Sequence, residues 1–302
     1  MSDYDYHEAV LRLPCVEAMN LVPGGTYVDV TFGGGGHSRE ILRQLEGGRL
    51  FGFDQDPDAQ ANVPEDSRFE LLPFNFRYFK RSLRLEAVRE VDAVLADLGI
   101  SSHQIDTADR GFSFRFEAEL DMRMSQDGEK DARYILNTYR EEELQHIFSL
   151  YGELRNAKTL AQTIVKARQR QKIERVEQLL QIIQPIIRGK QNRYLSQLFQ
   201  ALRMEVNEEV EALKEMLQEA TEMLKPGGRL VVLTYHSLED RLVKQWVKNG
   251  CFDKEPEKDV YGRFYKPLKA VNRKPILPSA EEIAQNPRAR SAKLRIAEKI
   301  AD

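Results

Sequence analysis

Cysteine is scarce in this sequence, with only two residues in 302, and that scarcity excludes several classes of protein. Cys15 and Cys251 lie far apart and form neither a metal-binding nor a redox spacing, so we expect free thiols in a reducing cytosol and no metal. No apolar run approaches the roughly 20 residues that a membrane span needs. The first residues carry acids where a secretory signal has an apolar segment. The sequence therefore predicts a soluble, cytoplasmic protein that does not enter a membrane.

A strong overall charge is also lacking, since the formal net charge is −3. The charges are nevertheless distributed unevenly along the chain. Residues 117–153 carry ten acids and four bases, residues 155–203 carry eleven bases and two acids, and residues 261–299 carry ten bases and three acids. A nucleic acid requires local positive surface, and a near-neutral total does not exclude such surface. Charge alone leaves two interpretations, nucleic-acid binding and ordinary solvated helices.

The sequence does contain ample material for a core, because 41% of its residues are hydrophobic. At roughly 150 residues per domain, its length allows one large domain or two ordinary ones. Short β-rich runs alternate with helical stretches, which is typical of an α/β protein with a mostly parallel sheet. The predicted strands are Tyr27–Thr31, Leu50–Phe53, Phe69–Leu72, Asp92–Ala96, Arg229–Leu233 and Ala292–Ala297.

The strand pattern is interrupted in the middle of the chain. Residues 106–201 contain helical segments and no convincing strand, so we predict an inserted helical subdomain there that recognises the substrate. Residues 1–105 and 202–302 would then form the α/β domain. Apolar residues at three- and four-residue spacings predict a buried helix over Val206–Leu224, which Lys225–Gly228 would end.

Four consecutive glycines, Gly33 to Gly36, separate the first predicted strand from a helix. Glycine lets the backbone approach a ligand closely, and the N–H groups at a helix N-terminus favour an anion. That anion is either a pyrophosphate or the carboxylate of S-adenosylmethionine. The structural alternative is a tight turn that needs a positive φ. Four glycines at a strand-to-helix switch favour ligand binding over that alternative.

Two acids follow the second predicted strand. Asp54 lies 21 residues after Gly33, where a carboxylate can accept hydrogen bonds from ribose hydroxyls. Asp54 could instead be a helix N-cap, but its occurrence together with the glycine loop favours ribose binding. Asp56 is interpreted as a turn-forming residue.

Two further side chains follow predicted strands. Asp97 ends the apolar run DAVLA, and ligands of open α/β sheets bind beyond the carboxyl ends of the strands. A carboxylate there is costly to bury without a partner, which favours a functional role over packing. Phe76 follows the third predicted strand and could line an adenine pocket, although a core position is the more common role of such a residue.

Seven motifs occur in a fixed order along the chain. They are VDVTFGGGGHS, FDQD, DLGISSHQIDTADRGFSF, LDMRMS, FQALRMEVN, LKPGGRLVVLTYHSLEDRLVK and NPRARSAKLR. Together they closely resemble the bacterial cytosine-N4 methyltransferases of small-subunit (16S) ribosomal RNA, the RsmH or MraW type. The resemblance extends from about His7 to Lys299. No single motif is specific, but the combination is.

This resemblance implies a class I S-adenosylmethionine-dependent methyltransferase, with a Rossmann-like sheet and a helical insert. It implies that S-adenosyl-L-methionine is the cofactor and that the substrate is the exocyclic N4 amine of a cytidine in the decoding region of the small ribosomal subunit. The implied cofactor-binding residues are Gly33, Gly35, Gly36, His37, Asp54, Phe76, Asp97 and Gln104.

Four positions depart from the family pattern. Val30 occupies a position that is usually glycine, and Gly34 one that is often basic or polar. His103 replaces a more usual proline. These three concern the shape of loops and leave the cofactor site largely intact. The segment around Gln197 lacks an expected arginine, which puts one RNA contact in doubt.

Residues on the substrate side are less clearly marked by the sequence. Oxygen acceptors at Ser101 and Ser102 could bind the amine, and Phe114 could stack on the base, with Phe112 as its alternative and core packing as the competing role of both. His236 could face the site or could cap a helix. Densely spaced bases predict a phosphate-binding surface, against the alternative of a solvated helix face. They are Lys166, Arg168, Arg170 and Lys172, which we place within two helical turns.

Two rival functions belong to other classes. Gly33, Gly35 and Asp54 also roughly fit a nicotinamide-dependent oxidoreductase, but Ser38 occupies the third small position and no hydride-transfer constellation is present. The second rival is a non-catalytic ribosome-assembly factor, against which the intact Asp97 and glycine loop argue. Asp97 could serve the catalytic step or hold the cofactor, and the sequence leaves this choice open. It also leaves the oligomeric state open, a homodimer included.

Overall fold

In the computed structural model, the hydrophobic runs of the sequence become the strands of one β-sheet. The structure describes residues 9–125, 128–253, 256, 261–262 and 264–301. Within these residues the sheet has seven strands in the order β3-β2-β1-β4-β5-β7-β6. The strands are β1 (Thr26–Asp29), β2 (Arg49–Phe53), β3 (Phe69–Leu72), β4 (Val91–Asp97), β5 (Leu224–Thr234), β6 (Leu268–Ala270) and β7 (Lys293–Lys299).

Helices connect the strands and also form a separate group in the middle of the chain. In chain order they are α1 (Arg12–Ala18), α2 (Gly36–Gln44), α3 (Phe79–Leu85), α4 (Ser102–Asp106), α5 (Ala132–Thr138), α6 (Glu141–Leu150), α7 (Ala157–Arg168), α8 (Val176–Ile183), α9 (Gln191–Val206), α10 (Glu209–Met223), α11 (Ser237–Asn249) and α12 (Ala280–Gln285). Among the described residues, no helix is both long and apolar enough to cross a membrane.

The first five strands are parallel to one another, and β7 runs antiparallel to both of its neighbours. This order, with the reversed seventh strand inserted beside the fifth, is the topology of class I S-adenosylmethionine-dependent methyltransferases and confirms the predicted fold class. Ala93, Val94, Leu95 and Ala96 of β4 are completely buried. Continuous burial is expected of a central parallel strand, because helices cover both faces of such a sheet.

The chain divides into two units. The first comprises Met1–Gly99 with Val210–Asp302 and contains the sheet, and the second comprises Ile100–Glu209. In the second unit, α6 packs against α7 and α9, with Phe148, Leu160 and Leu198 wholly buried. Its described residues contain no strand beyond the bridge between Glu119 and Arg175. A substrate-recognition role for this helical segment stays a prediction.

Each predicted strand overlaps a strand of the structure, but the predicted helix over Val206–Leu224 is wrong at both ends. Val206 ends α9, and Glu208, at φ 49°, turns the chain before α10. The following strand begins at Leu224, so that Lys225–Gly228 lies within β5 instead of ahead of it. A shift in the pairing of β4 with β5 accommodates this extra length, and Lys225 Nζ bonds Asp92 across the bulge at 2.7 Å.

β6 is not predicted by the hydrophobic pattern of the sequence. This strand has only three residues, and Leu268 alone among them is buried. A single buried residue gives no alternation from which a strand could be predicted. β6 lies at the edge of the sheet and pairs with β7.

Candidate cofactor site

The carboxyl ends of the parallel strands place a group of polar side chains at one edge of the sheet. β1 ends at Asp29, β2 leads to Asp54, and β4 ends at Asp97. Because β1 lies between β2 and β4 in the sheet, Asp54 and Asp97 flank the glycine loop that follows β1. Ligands of open α/β sheets bind in this position.

The glycine loop leads into α2, which begins at Gly36. Gly35 has φ 73°, and a Cβ atom on it would lie 2.9 Å from the ring of Phe32. A Cβ atom on Gly36 would lie 2.8 Å from that of Ala9. Glycine is therefore required here by packing as well as by backbone conformation, and the resulting bare backbone leaves the first N–H groups of α2 available to an anion.

Asp29 anchors this loop and was not among the predicted site residues. Its side chain is buried, with Oδ2 accepting a 2.7 Å hydrogen bond from Ser38 Oγ and Oδ1 accepting a 3.2 Å hydrogen bond from Thr31 N. Burial raises the pKa of Asp29, whereas the nearby His37 and these hydrogen bonds lower it. Its acidic character inside the apolar segment YVDV was the available signal.

Asp54 contacts the same loop from the end of β2. Its Oδ2 accepts a hydrogen bond from Gly33 N at 2.8 Å, and its Oδ1 accepts one from Asp56 N at 2.8 Å. Burial raises the pKa of Asp54 to about 6, although both hydrogen bonds lower it. A carboxylate oxygen can accept more than one hydrogen bond, so ribose hydroxyls can still bind here. The N-cap of the following 3₁₀ helix is Asp56, which accepts a bond from Asp58 N at 3.2 Å.

Two side chains lie next to Asp97, and one of them is hydrogen-bonded to it. Tyr235 donates a 2.8 Å hydrogen bond from its hydroxyl to Oδ1, and His37 Nδ1 lies 3.7 Å from Oδ2. The Asp97 side chain is 21% exposed. Burial raises its pKa to about 6, His37 and the Tyr235 hydroxyl lower it, and Asp29 and Glu239 raise it. Asp97 is thus an oriented hydrogen-bond acceptor whose titration lies near neutral pH.

Two other predicted site residues lie at this edge of the sheet. His37 is 5% exposed, and its Nε2 lies 3.1 Å from the carbonyl oxygen of Val10, so its ring is committed to protein contacts. Its backbone N–H remains in the first turn of α2. Phe76 is half-buried and opens a 3₁₀ helix after β3, at the same edge of the sheet.

The remaining predicted residue of the first unit is His236, which caps α11. Its Nδ1 accepts a hydrogen bond from Glu239 N at 3.4 Å, and its Nε2 lies 2.9 Å from Glu239 Oε1. Of the two roles weighed for this histidine, the structure therefore shows the capping role. Tyr235, its neighbour in the motif TYHS, was missed, because nothing in the sequence pairs it with Asp97.

Other predicted residues belong to the second unit. Ser101 and Gln104 form a capping box at the start of α4, in which Ser101 Oγ accepts from Gln104 N at 3.1 Å and Gln104 Oε1 accepts from Ser101 N at 3.2 Å. The side chain of Ser102 lies outside the described residues. Phe114 is half-buried and packs edge-on against Phe199 at 5.7 Å between ring centroids, and its stacking on the base stays a prediction.

The predicted basic cluster of the second unit is less regular than expected. Helix α7 ends at Arg168, so Arg170 and Lys172 follow the helix, and the prediction of two continuous helical turns is wrong. Arg168 Nη1 donates a 2.8 Å hydrogen bond to the carbonyl oxygen of Leu136. Lys166, Arg170 and Lys172 are exposed. Partial burial lowers the pKa of Arg168, which sets its role apart from that of the other three.

The sequence of this chain matches a known protein family over nearly its whole length. A family model described as the MraW methylase family matches residues 5–300. The chain belongs to the MraW methylase family. Membership makes it an S-adenosylmethionine-dependent methyltransferase and confirms the family resemblance seen in its motifs.

Curated relatives in this family are similar over nearly the whole chain. Ribosomal RNA small subunit methyltransferase H of Bacteroides fragilis is 57% identical, with 97% of each chain covered. The protein of the same name from Flavobacterium johnsoniae is 54% identical, with 98% of each chain covered. Among solved structures, an rRNA methylase from Streptococcus thermophilus aligns with a TM-score of 0.41 at 12% identity, covering 98% of this chain and 99% of that chain.

The residues at this sheet edge fit the cofactor of the MraW methylase family. The loop at Gly35 and Gly36 has no room for side chains and leads directly into the first turn of α2, whose backbone N–H groups suit a carboxylate. Asp54 offers acceptor oxygens for ribose hydroxyls. The hydroxyl of Ser38, in contrast, donates a hydrogen bond to the buried Asp29. The residue at the third small position of a dinucleotide fingerprint therefore stabilises the fold here instead of contacting a ligand. The family and this contact both argue against the nicotinamide alternative.

Proposed function

We propose that this protein methylates the exocyclic N4 amine of a cytidine in the decoding region of small-subunit ribosomal RNA. The observation that carries the proposal is the position of Asp97, oriented by Tyr235 at the sheet edge that also bears the glycine loop and Asp54. The names of the curated relatives support ribosomal RNA of the small subunit as the substrate. The choice of cytidine and of N4 comes from the resemblance of the motifs.

The chemistry demands a positioned acceptor more than a strong base. S-adenosylmethionine, when bound, supplies an electrophilic methyl group. The exocyclic nitrogen of cytosine is conjugated with its ring and is a poor nucleophile, so the enzyme must align it with the methyl group. As the nitrogen forms its new bond it becomes acidic and must lose one proton. Asp97 accepts a hydrogen bond from the amine and then that proton, which its pKa of about 6 allows at neutral pH.

Two contacts make Asp97 suited to this role. The Tyr235 hydroxyl occupies a lone pair of Oδ1, which fixes the rotation of the carboxylate. His37 lies on the side of Oδ2 but at 3.7 Å, beyond hydrogen-bond length. Oδ2 therefore retains acceptor capacity, and the part of Asp97 that is exposed can present it to an amine.

Part of the RNA affinity is assigned to the second unit. Lys166, Arg170 and Lys172 are exposed bases in a stretch with a large excess of positive charge, and phosphates are the anions that such a stretch attracts. The binding of cofactor by Gln104, whose side chain is buried in its capping box, stays a prediction that the family resemblance implies. The protein is proposed to work in the cytoplasm, where ribosomal subunits are assembled.

The test combines RNA mass mapping with a reconstituted reaction. We expect small-subunit RNA from cells that lack this protein to have lost one methyl group on a cytidine, which the wild-type gene restores and Asp97→Asn does not. Purified protein with S-adenosylmethionine should restore the methyl group on small subunits from the deficient cells. An unchanged RNA mass would refute the proposed substrate, and restoration by the Asp97→Asn protein would refute the proposed acceptor. A non-catalytic assembly factor would bind these subunits without transferring a methyl group.

A further inference from the structure

The edge of the sheet formed by β6 and the chain on either side of it carries bases without acids. Residues 261–280 contain five bases and no acid. Four of these bases, Lys266, Lys269, Arg273 and Lys274, are described and exposed. No ion pair joins any of the four to another described residue. We refer to these four bases and the neighbouring aromatic residues Tyr261, Phe264 and Tyr265 as the β6 surface.

Basic residues on the neighbouring strands have ion-pair or hydrogen-bond partners among the described residues, unlike the four basic residues of the β6 surface. Lys293 and Arg295 of β7 both contact Asp240, and Arg229 of β5 pairs with Glu298. Lys299 Nζ donates to the carbonyl oxygen of Thr221 at 2.9 Å. The basic residues on β5 and β7 are therefore ion-paired or hydrogen-bonded, whereas those of the β6 surface remain in solvent.

The chain that carries these bases is held in a defined position. Val271 N donates to Ile296 O at 2.9 Å, and Ile276 N donates to Leu294 O at 3.0 Å. Between these two bonds, Asn272 Nδ2 donates to Lys274 O and to Leu294 O, each at 3.0 Å. Arg273 and Lys274 thus lie on a short bulge whose backbone is fixed to β7. Their charges are presented by a rigid edge, which lowers the entropy lost when an anion binds.

Aromatic rings are exposed in the chain that leads into β6. The side chain of Tyr261 is 81% exposed, that of Tyr265 is 59% exposed and that of Phe264 is 37% exposed. Lysine and proline at an edge strand can simply prevent edge-to-edge pairing, and this is the ordinary explanation of such a surface. Edge protection gives no reason for exposed rings, whose apolar faces are unfavourable in water. Surfaces that combine aromatic rings with basic residues bind unpaired nucleotides, because the rings stack on the nucleobases and the basic residues contact the phosphates.

We propose that the β6 surface binds a single-stranded segment of the RNA substrate. The basic residues contact phosphates, and the tyrosine rings stack on unpaired nucleobases. A duplex is a poorer ligand, because its nucleobases are already stacked on one another and cannot reach the rings. This inference rests on the proposed function for the identity of the RNA, but the binding itself can be tested separately.

The first experiment measures binding of a fluorescent single-stranded oligouridine 12-mer by anisotropy at several salt concentrations. The variant K269Q/R273Q/K274Q removes three charges of the β6 surface. The control R81Q/R84Q/R89Q removes three exposed charges from the region of α3, where Glu86 and Glu90 lie in the same stretch. We expect the first variant to flatten the slope of log K against log salt by about 0.7 for each phosphate interaction removed, and the control to reproduce the wild-type slope.

The second experiment tests stacking apart from charge. The pair Y261F/Y265F keeps both rings, and Y261L/Y265L removes them but keeps apolar bulk. We expect Y261L/Y265L to weaken 12-mer binding at least fivefold without altering the salt slope, and Y261F/Y265F to change it less than twofold. A hairpin duplex should bind more weakly than the 12-mer and should not respond to the ring substitutions.

Outcomes that overturn the proposal are distinct from failure of the proposed function. Equal salt slopes for wild type and K269Q/R273Q/K274Q, with increased aggregation of that variant, would leave edge protection as the role of the surface. Equal flattening by the control would mean that only net charge matters. Methylation of small subunits is measured in parallel, and the β6 variants should raise KM while keeping kcat and S-adenosylmethionine affinity. If wild type methylates no subunit, the proposed function fails, whereas the 12-mer results still decide the role of the surface.

Discussion

The hydroxyl of Tyr235 donates a 2.8 Å hydrogen bond to Oδ1 of Asp97. The two residues are 138 positions apart in sequence, and the parallel pairing of β4 with β5 brings them together, since Asp97 lies opposite Leu233 in the register. Tyr235 therefore follows the end of β5 at the level where β4 ends. The contact orients the acid that the proposed reaction requires, and it makes the first two predictions specific.

Replacing Asp97 with asparagine removes the proton acceptor and preserves the size of the side chain. We expect kcat to fall about 100-fold or more, because general-base assistance is lost, while the Kd for S-adenosylmethionine changes much less. Single-turnover kinetics and calorimetry measure the two quantities. The opposite result, weaker cofactor binding with normal turnover at saturation, would assign Asp97 to cofactor binding alone.

Replacing Tyr235 with phenylalanine should alter the pH dependence of methylation. Asp97 accepts a proton only as a carboxylate, so activity should fall as the pH decreases through about 6, its pKa in the fold. The Tyr235 hydrogen bond lowers that pKa, and its removal therefore raises it and moves the acidic limb to higher pH. His37, Asp29 and Glu239 also face Asp97 and are unchanged by the substitution.

The control for this pH profile is Tyr27→Phe, because the Tyr27 hydroxyl contacts Val22 and not the site. Tyr27→Phe should leave the acidic limb in place. An acidic limb that is the same in wild type and Tyr235→Phe would assign the titration to a group other than Asp97.

Substitutions of Asp54 and Asp56, the two acids after β2, should distinguish a residue that binds the cofactor from one that caps a helix. Asp54→Ala should weaken S-adenosylmethionine binding by about 2 kcal/mol, through loss of a charged acceptor and of the bond to Gly33 N. Asp56→Ala removes the N-cap of the next helix and should cost about 1 kcal/mol of folding stability with affinity preserved. Calorimetric titration and thermal unfolding distinguish them. Equal affinity of Asp54→Ala and wild type would remove Asp54 from the cofactor site.

Two glycine-to-alanine substitutions can show whether the glycine loop needs glycine for lack of space or only for its backbone conformation. Gly24 and Gly35 have nearly the same φ, 72° and 73°, but a Cβ atom on Gly24 has no neighbour within 4 Å. Each change to alanine should cost about 1 kcal/mol of stability through the left-handed backbone. Gly35→Ala should cost more, because its Cβ meets Phe32, and it alone should weaken cofactor binding. Identical behaviour of the two variants would mean that the loop needs only the backbone conformation.

The bases of the second unit should behave in two different ways. K166Q/R170Q/K172Q should flatten the salt dependence of RNA binding by about one unit for each phosphate interaction removed. Arg168→Gln should instead lower the free energy of unfolding by about 1 kcal/mol, since Arg168 donates to Leu136 O. Salt titrations on small subunits and denaturant unfolding measure these effects. Slopes that coincide with wild type for K166Q/R170Q/K172Q would leave these bases as solvated surface.

Much of the fold was accessible from sequence because its signals are local. The strand-to-glycine switch at Gly33 and the acid ending DAVLA each lie within a dozen residues. The end of α7 at Arg168 was misplaced, since regular spacing of charges continues past the point where the helix stops. Val206 was misplaced for a similar reason, because the stripe of apolar residues continues across the turn at Glu208.

The sequence by itself determined the α/β class, the order of the motifs, the residues at the strand ends and, through resemblance, the family. Only the tertiary structure decided which of these residues touch. Ser38 donates a hydrogen bond to Asp29, and Tyr235 donates one to Asp97. The four basic residues of the β6 surface remain in solvent, whereas Lys293 and Arg295 of β7 pair with Asp240. Periodicity and capping act over a few residues and can be read along the chain. Such contacts depend on the register of strands far apart in sequence, which is decided only when the whole sheet has packed.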